Sequence, residues 1–339
     1  LTLFDRVKHQ YNDVIEVSDS ILLDSRSVKY IVGELQLYSL KDSSRDAVGD
    51  AFEIFIGPSL KGAQGQFFTP RNVVNMVIRM IDPGIDERIL DPACGSGGFL
   101  VESLRYVWNK LEEKAADLGW PESEIEAEKQ RIAIKNLRGI HCENSLESFH
   151  NWSAKTFEDI QPESFDVIVT NPPFGKKLSI DSTEILELYD LGHRWNSVPG
   201  GVFEKGALAD KQPPQLLFIE RCFQMLRPGG RMGIVLLESI FGMPKYQYVV
   251  NYIRLQAKIN AIVTLPEDLF QPHTHAKCCV LICQKYKKNE SYSSCDNYDI
   301  FMSDVKWCGH DSRGNITYSY TSTGEKVVLD EIPLVADRY

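Results

Sequence analysis

The sequence predicts an α/β protein of Rossmann-like design, a sheet with helices on both faces, preceded by a helical N-terminal segment. Three stretches carry that prediction. Arg88-Ile-Leu-Asp91 reads as a strand that breaks into the glycine loop Pro92-Ala-Cys-Gly-Ser-Gly-Gly98 and then into a helix from Phe99 to Lys114. Phe165 to Val169 is mostly apolar and β-branched, a buried strand that Pro172 and Pro173 forbid from continuing. Gln215 to Leu226 reads as a buried helix, Arg227-Pro-Gly-Gly230 as its stop, and Arg231 to Leu237 as the next strand.

Taken in order, residues 1–60 read as helical, with Val28, Ile31, Val32 and Leu35 at near-helical spacing and the pattern resuming from Ala47 to Ile56. This segment has little apolar mass of its own, so it is expected to be the end of a larger helical domain or a lid on the next one. Gly62 and Gly65 then loosen the backbone, and the run continues through Gln66, Phe67 and Phe68 to Thr69, a good N-cap, and Pro70, suited to a first helical position. The helix that follows carries Val73, Val74, Val77, Ile78 and Ile81 on one face and should pack on a sheet. Its free N–H groups and partial positive charge suit a carboxylate on an otherwise apolar ligand.

After the glycine loop, residues 112–135 read as a solvated helix pair broken at Gly119-Trp-Pro121. Leu137 to Ile140 reads as a second strand, followed at once by Cys142-Glu-Asn-Ser-Leu146. Residues 175–214 are polar and irregular, with Lys176, Lys177, Arg194, Lys205 and Lys211 among them. A helix at 246–256, a strand from Ile259 to Leu265 and another from Cys278 to Cys283 complete a domain placed at 61–285. Residues 286–339 form an extension of weak, polar pattern whose role is not legible.

Composition bounds the function. At 339 residues, with 43% hydrophobic and 25% charged residues, the chain has the make-up of a globular protein of one large domain with additions, or of two. No run approaches eighteen uncharged apolar residues and no signal-like start is visible, so a cytoplasmic protein with no membrane partner is expected. A net charge of −10 argues against gripping duplex DNA unaided, since phosphate contacts need many Lys and Arg. The eight cysteines include no Cys-x-x-Cys and are expected as free thiols, several of them buried. His273-x-His275 has no third ligand at an evident spacing, and no metal is expected.

Two motifs carry chemistry. The glycine loop places a ligand site where a strand's carboxyl end turns into a helix, with Gly95, Gly97 and Gly98 allowing close approach to the backbone. A dinucleotide fingerprint fails because Leu100 stands where its last Gly or Ala belongs, and no Gly-Lys-Ser/Thr follows for a phosphate loop. At the other motif, Asn171 offers an amide oxygen, Pro172 a carbonyl stiffened by the adjacent ring, and Phe174 a flat aromatic face. Together they make a receptacle for a planar ring bearing an exocyclic amine.

Here the sequence resembles the DNA adenine-N6 methyltransferases, and within them the modification subunit of type I restriction-modification systems. The resemblance covers about residues 45–285 through Gly-Gln-Phe-Phe-Thr-Pro at 65–70, Asp-Pro-Ala-Cys-Gly-Ser-Gly-Gly at 91–98 and Asn-Pro-Pro-Phe at 171–174, with Pro266 to Pro272 also similar. It implies an S-adenosylmethionine-dependent methyltransferase fold. It implies that cofactor is bound by Gly65, Gln66, Phe67, Phe68, Thr69 and Pro70, and by Asp91, Pro92, Gly95, Ser96, Gly97 and Gly98. Catalysis is implied for Asn171, Pro172, Pro173 and Phe174, on a target adenine flipped out of DNA. Specificity and restriction subunits are the implied partners, which fits the acidic charge. The lysines of 175–214 and Arg194 are then expected to border DNA phosphates.

The chain departs from the family pattern after Ile140, where there is no room for the helix and third strand that follow the family's ribose-binding acid. Either Glu143 is that acid, or a segment is absent between Ile140 and His141 and Glu143 and Asn144 belong to the later, adenine-contacting strand; the second reading is adopted. A stand-alone DNA adenine methyltransferase, an RNA or protein methyltransferase with the same motif, and a cofactor-binding structural subunit are the alternatives.

Overall fold

The computed structural model describes residues 3–10, 18, 20–36, 68–137, 139–175, 178–271, 274–292 and 297–339. The chain divides into two compact units, Leu1–Phe55 and Ile56–Tyr339. In the first, helix α1 spans Leu3–Gln10 and α2 spans Ser25–Leu35. Helix α2 starts where it does because Asp24 caps it, its Oδ1 accepting from the N–H groups of Arg26 and Ser27. The helical pattern expected from Ala47 to Ile56 lies outside the described residues.

The second unit opens with α3, Arg71–Ile81, followed by β1, Ile89–Leu90, and α4, Gly98–Leu118. Next come α5, Glu122–Asn136, α6, Ala154–Asp159, and β2, Phe165–Thr170. Strands β3, His193–Val198, and β4, Val202–Leu208, precede α7, Pro214–Met225, and β5, Leu226–Leu237. Helix α8 spans Gln247–Gln256, β6 Ala257–Thr264 and β7 Cys278–Lys285. The chain closes with β8, Phe301–Asp304, β9, Tyr318–Tyr320, β10, Lys326–Val328, and α9, Ile332–Arg338.

Six of these strands form the central sheet in the order β1-β2-β5-β7-β6-β8. β1, β2 and β5 pair in parallel, β6 pairs in parallel with β8, and β7 runs antiparallel to both its neighbours. Side chains alternate across it. In β7, Cys278, Val280 and Ile282 join a core with α3, while Cys279, Leu281 and Cys283 join a second core with α7 and α8. A sheet covered on both faces explains why its strands read as continuous apolar runs, and each fully buried aliphatic side chain contributes about 1.5–3 kcal/mol. Helix α3 sits on β5 at Gly233, where an added Cβ would fall 2.7 Å from Val77 Cγ1.

Several expectations are corrected. Leu137–Ile140 is no second strand: α5 runs to Asn136 with Leu137 as its C-cap, and no strand is assigned to 139–140 or 141–146. Among the described strands β1 is therefore the sheet edge, where the family pattern expects further strands. The irregular stretch 175–214 contains the β3–β4 hairpin, whose strands pair antiparallel with none of their residues fully buried. The extension 286–339 is built into the fold: β8 adds to the sheet edge, and Val305, Cys308, Ile332 and Val335 enter the core under α3. Seven cysteines among the described residues are free, five of them buried.

Candidate active site

Because β1 and β2 are adjacent and parallel, with Ile89 opposite Val167 and Leu90 opposite Ile168, Asp91 and Asn171 follow the strands' carboxyl ends at the same edge of the sheet. Helices α3 and α4 converge on that edge. Arg71, the first residue of α3, reaches to 3.4 Å from where a Cβ on Gly98 would lie, and Asn75 of α3 donates to Glu102 of α4 at 3.0 Å.

Asp91 is 7% exposed, and its Oδ1 accepts from the Ala93 N–H at 3.0 Å. Burial pushes its carboxyl up to about 7. The Thr170 hydroxyl, which makes no well-formed hydrogen bond, and the Ala93 N–H pull it back only in part. The loop beyond it turns at Cys94, whose carbonyl accepts from Gly97 N at 2.8 Å. Gly95 and Gly97 hold φ of +53° and +81°, and nothing lies within 4 Å of a Cβ built on either. Those two positions need glycine for the backbone alone, and they leave open space above it.

Asn171 is held on one side only. Its Nδ2 donates to Thr69 Oγ1 at 3.0 Å, while its Oδ1 is buried without a hydrogen-bond partner among the described residues. A buried acceptor left bare costs about 1–3 kcal/mol, which marks the atom as one kept for something else. The same bond corrects the expected helix start. Pro70 occupies the N-cap position of α3, Arg71 is its first residue, and no side chain caps it, so the Thr69 hydroxyl serves Asn171 instead.

Pro172 is buried and Pro173 half-buried. Phe174 is 2% exposed and meets Phe270 edge to face, with ring centroids 5.5 Å apart. The expected flat shelf is therefore a core residue here, covered in part by the turn Glu267–Phe270.

Glu143 and Asn144 lie beside the glycine loop, since Ser145 Oγ donates to Pro92 O at 2.6 Å. Their side chains are engaged locally. Glu143 Oε1 accepts from Ser153 N and Thr156 Oγ1, bonds that hold its carboxyl below the usual range, and Asn144 closes its own turn onto Leu146 N and Glu147. Gly65, Gln66 and Phe67 lie outside the described residues, as do Lys176, Lys177 and His273. Ser96 stands exposed at the tip of the loop. No group of three or more potential metal ligands occurs among the described residues. Nor does any described helix have the length and apolarity to cross a membrane.

With the geometry in place, comparison with known proteins decides the family. A family model described as N-6 DNA methylase matches residues 43–315. The chain belongs to the N-6 DNA methylase family. This family member is 24% identical over 331 residues to the type I restriction enzyme EcoEI methylase subunit of Escherichia coli, covering 90% of the chain and 63% of that relative. It is 29% identical over 285 residues to the MjaVII methylase subunit of Methanocaldococcus jannaschii, covering 82% of the chain and 47% of that relative. It thus spans about half to two thirds of the length of these curated relatives. Among solved structures, a protein assigned as a class I S-adenosylmethionine-dependent methyltransferase from Listeria monocytogenes shares the fold. The TM-score is 0.53, with 18% identity over 84% of this chain and 80% of that one.

Sequence reasoning passed over three residues that the structure brings to this edge: Arg71 beside the glycine loop, Thr170 facing Asp91, and Phe270 against Phe174. Phe270 was signalled in part by an aromatic set between Pro266 and Pro272. Nothing local marks the other two.

Proposed function

We propose that this N-6 DNA methylase transfers a methyl group from S-adenosylmethionine to the N6 amino group of adenine in DNA. It does so as the modification subunit of a type I restriction-modification complex, with a specificity subunit reading the sequence and a restriction subunit beside it. The observation that carries the reading is the buried, unpartnered Asn171 Oδ1 at the same end of the sheet as the open glycine loop.

The residues present fit the cofactor: a buried carboxyl, two glycines with open space above them, and the N-terminus of α3 with Arg71 beside the loop. S-adenosylmethionine, held by Asp91 and the loop from Pro92 to Gly98, would supply an electrophilic sulfonium methyl. Asp91 provides the counter-charge, since a cation alongside stabilises its ionised form. Phe68, Thr69, Pro70 and Arg71 present the positive end of α3 to a carboxylate through the backbone, the Thr69 hydroxyl being taken up by Asn171.

Adenine's amino nitrogen is a poor nucleophile because its lone pair is drawn into the ring. With the base flipped out, Asn171 Oδ1 and the Pro172 carbonyl accept its two amino hydrogens, which favours an electron-rich nitrogen and aims it. For the base to stack on Phe174, the edge-on contact with Phe270 has to open. Arg194 and Lys205 in the hairpin are held in exposed ion pairs with Asp210 and Asp190, weak enough for DNA phosphates to replace the carboxylates.

The test is methyl transfer from tritiated S-adenosylmethionine, with the chain co-purified with its specificity subunit and offered DNA, RNA and protein. Label on adenine N6 of DNA, lost in Asn171→Ala with cofactor binding retained, is expected. Label on RNA or protein, or turnover by Asn171→Ala, overturns the reading.

A further inference from the structure

We propose that Thr69 is the positioning residue for the Asn171 amide, holding its nitrogen so that its oxygen faces the target amine. This rests on the function proposed above. The amide is anchored by a single contact, Nδ2 to Thr69 Oγ1 at 3.0 Å, across 102 positions of sequence. Proline at 172 holds the Asn171 backbone extended, which leaves the direction of the side chain to its own torsions. Rotation about the last of these is broad and two-fold, so without an anchor the oxygen and nitrogen exchange places freely.

The anchor is itself fixed. Thr69 sits directly before α3, whose Val77 packs onto Gly233 of β5. At the head of the same helix, Asn72 Nδ2 donates to Cys308 O at 3.3 Å and Asp330 Oδ2 at 2.9 Å. The helix start is thus tied to both the sheet and the C-terminal segment, and Thr69 makes no side-chain cap that would compete for its hydroxyl. Turned the other way, the amide would offer N–H donors to an amine that must itself donate. The hydroxyl acts through Asn171 and touches no reacting atom.

Two variants test this in the full chain. Thr69→Val keeps the shape and removes the hydroxyl; Thr69→Ser keeps the hydroxyl. In the complex with its specificity subunit, Thr69→Val should lower the single-turnover methylation rate by about tenfold or more, in line with the cost of small misplacements of reacting groups. S-adenosylmethionine affinity should stay within about twofold, and Thr69→Ser should recover the rate to within about threefold. A Thr69→Val variant whose loss is wholly in cofactor affinity would make Thr69 a cofactor contact and overturn the proposal. A second readout needs no turnover: in asparagine-labelled protein, the Asn171 side-chain amide protons, assigned by their loss in Asn171→Asp, should shift and exchange faster in Thr69→Val but not in Thr69→Ser. An unmoved Asn171 signal overturns the proposal even if the wild-type chain proves inactive, in which case the functional reading fails separately.

Discussion

Phe174 and Phe270 meet edge to face at an interplanar angle of 74°, so the aromatic of the Asn-Pro-Pro-Phe motif is sealed into the core by the turn that follows β6. Phe270→Ala should lower stability by about 3–5 kcal/mol, the range for a buried phenylalanine, in urea unfolding followed by circular dichroism. Phe270→Leu, which keeps apolar bulk but loses the ring pair, should cost roughly 1 kcal/mol. A Phe270→Leu variant as stable as the wild type would mean that the ring contact itself contributes nothing.

Asp91 predicts a pH dependence of known sign. Its carboxyl ionises near 3.8 in the unfolded chain and about 7 in the folded one, so the folded state holds the extra proton between those values. Stability from this group is greatest below pH 4 and falls as pH rises through 7. Asp91→Asn should therefore melt higher than the wild type at pH 8, with the gap closing towards pH 4. Each kcal/mol regained is worth roughly 2–4 °C. A gap that widens on acidification would show the carboxyl to be ionised and stabilised in the fold.

At Gly233 the side chains of α3 lie directly against the backbone of β5. A methyl there would lie 2.7 Å from Val77 Cγ1 and 3.2 Å from Ile81 Cγ1, so Gly233→Ala should cost about 1–3 kcal/mol by overpacking. Combining it with Val77→Ala should cost less than the sum of the two single changes, because the same space is emptied and filled. Additive losses in denaturant titrations would place the strain elsewhere.

Arg221, 1% exposed, ties α7 to the strip beside the glycine loop. Its Nε donates to Tyr189 Oη at 2.8 Å, its Nη2 to Glu147 O at 2.6 Å, and the Phe149 ring lies 4.2 Å from the guanidinium. Burial pulls its pKa down, yet these acceptors and ring faces keep the cation satisfied. Tyr189→Phe strips Nε of its acceptor and should cost about 1–3 kcal/mol. In a double-mutant cycle with Arg221→Met, a coupling of roughly 0.5–3 kcal/mol is expected, and a coupling near zero would mean that the pair is incidental.

How much of this was legible in the sequence follows the range of each interaction. β1, the glycine loop and α4 were read to within a few residues because glycine and β-branched residues act on the backbone where they stand. The β3–β4 hairpin was missed because none of its residues is buried and its apolar ones, Trp195, Val198, Val202, Phe203, Ala207 and Leu208, neither alternate regularly nor form a continuous run among the polar ones. The C-terminal extension was illegible for a related reason: β8 is four residues long, and α9 takes its meaning from a helix more than two hundred positions earlier, through Arg79 to Pro333 O.

The sequence by itself determined the class of fold, the family and the order of the two chemical motifs along the chain, because proline, glycine and apolar periodicity constrain a backbone locally. Only the tertiary structure decided that Thr69 serves Asn171 rather than its own helix, that Phe174 lies against Phe270, and that Glu143 is drawn to the start of α6. Each of those outcomes depends on which distant group arrives within hydrogen-bonding or packing range. A hydroxyl, a ring or a carboxylate carries no mark of its partner until the sheet has brought the two together.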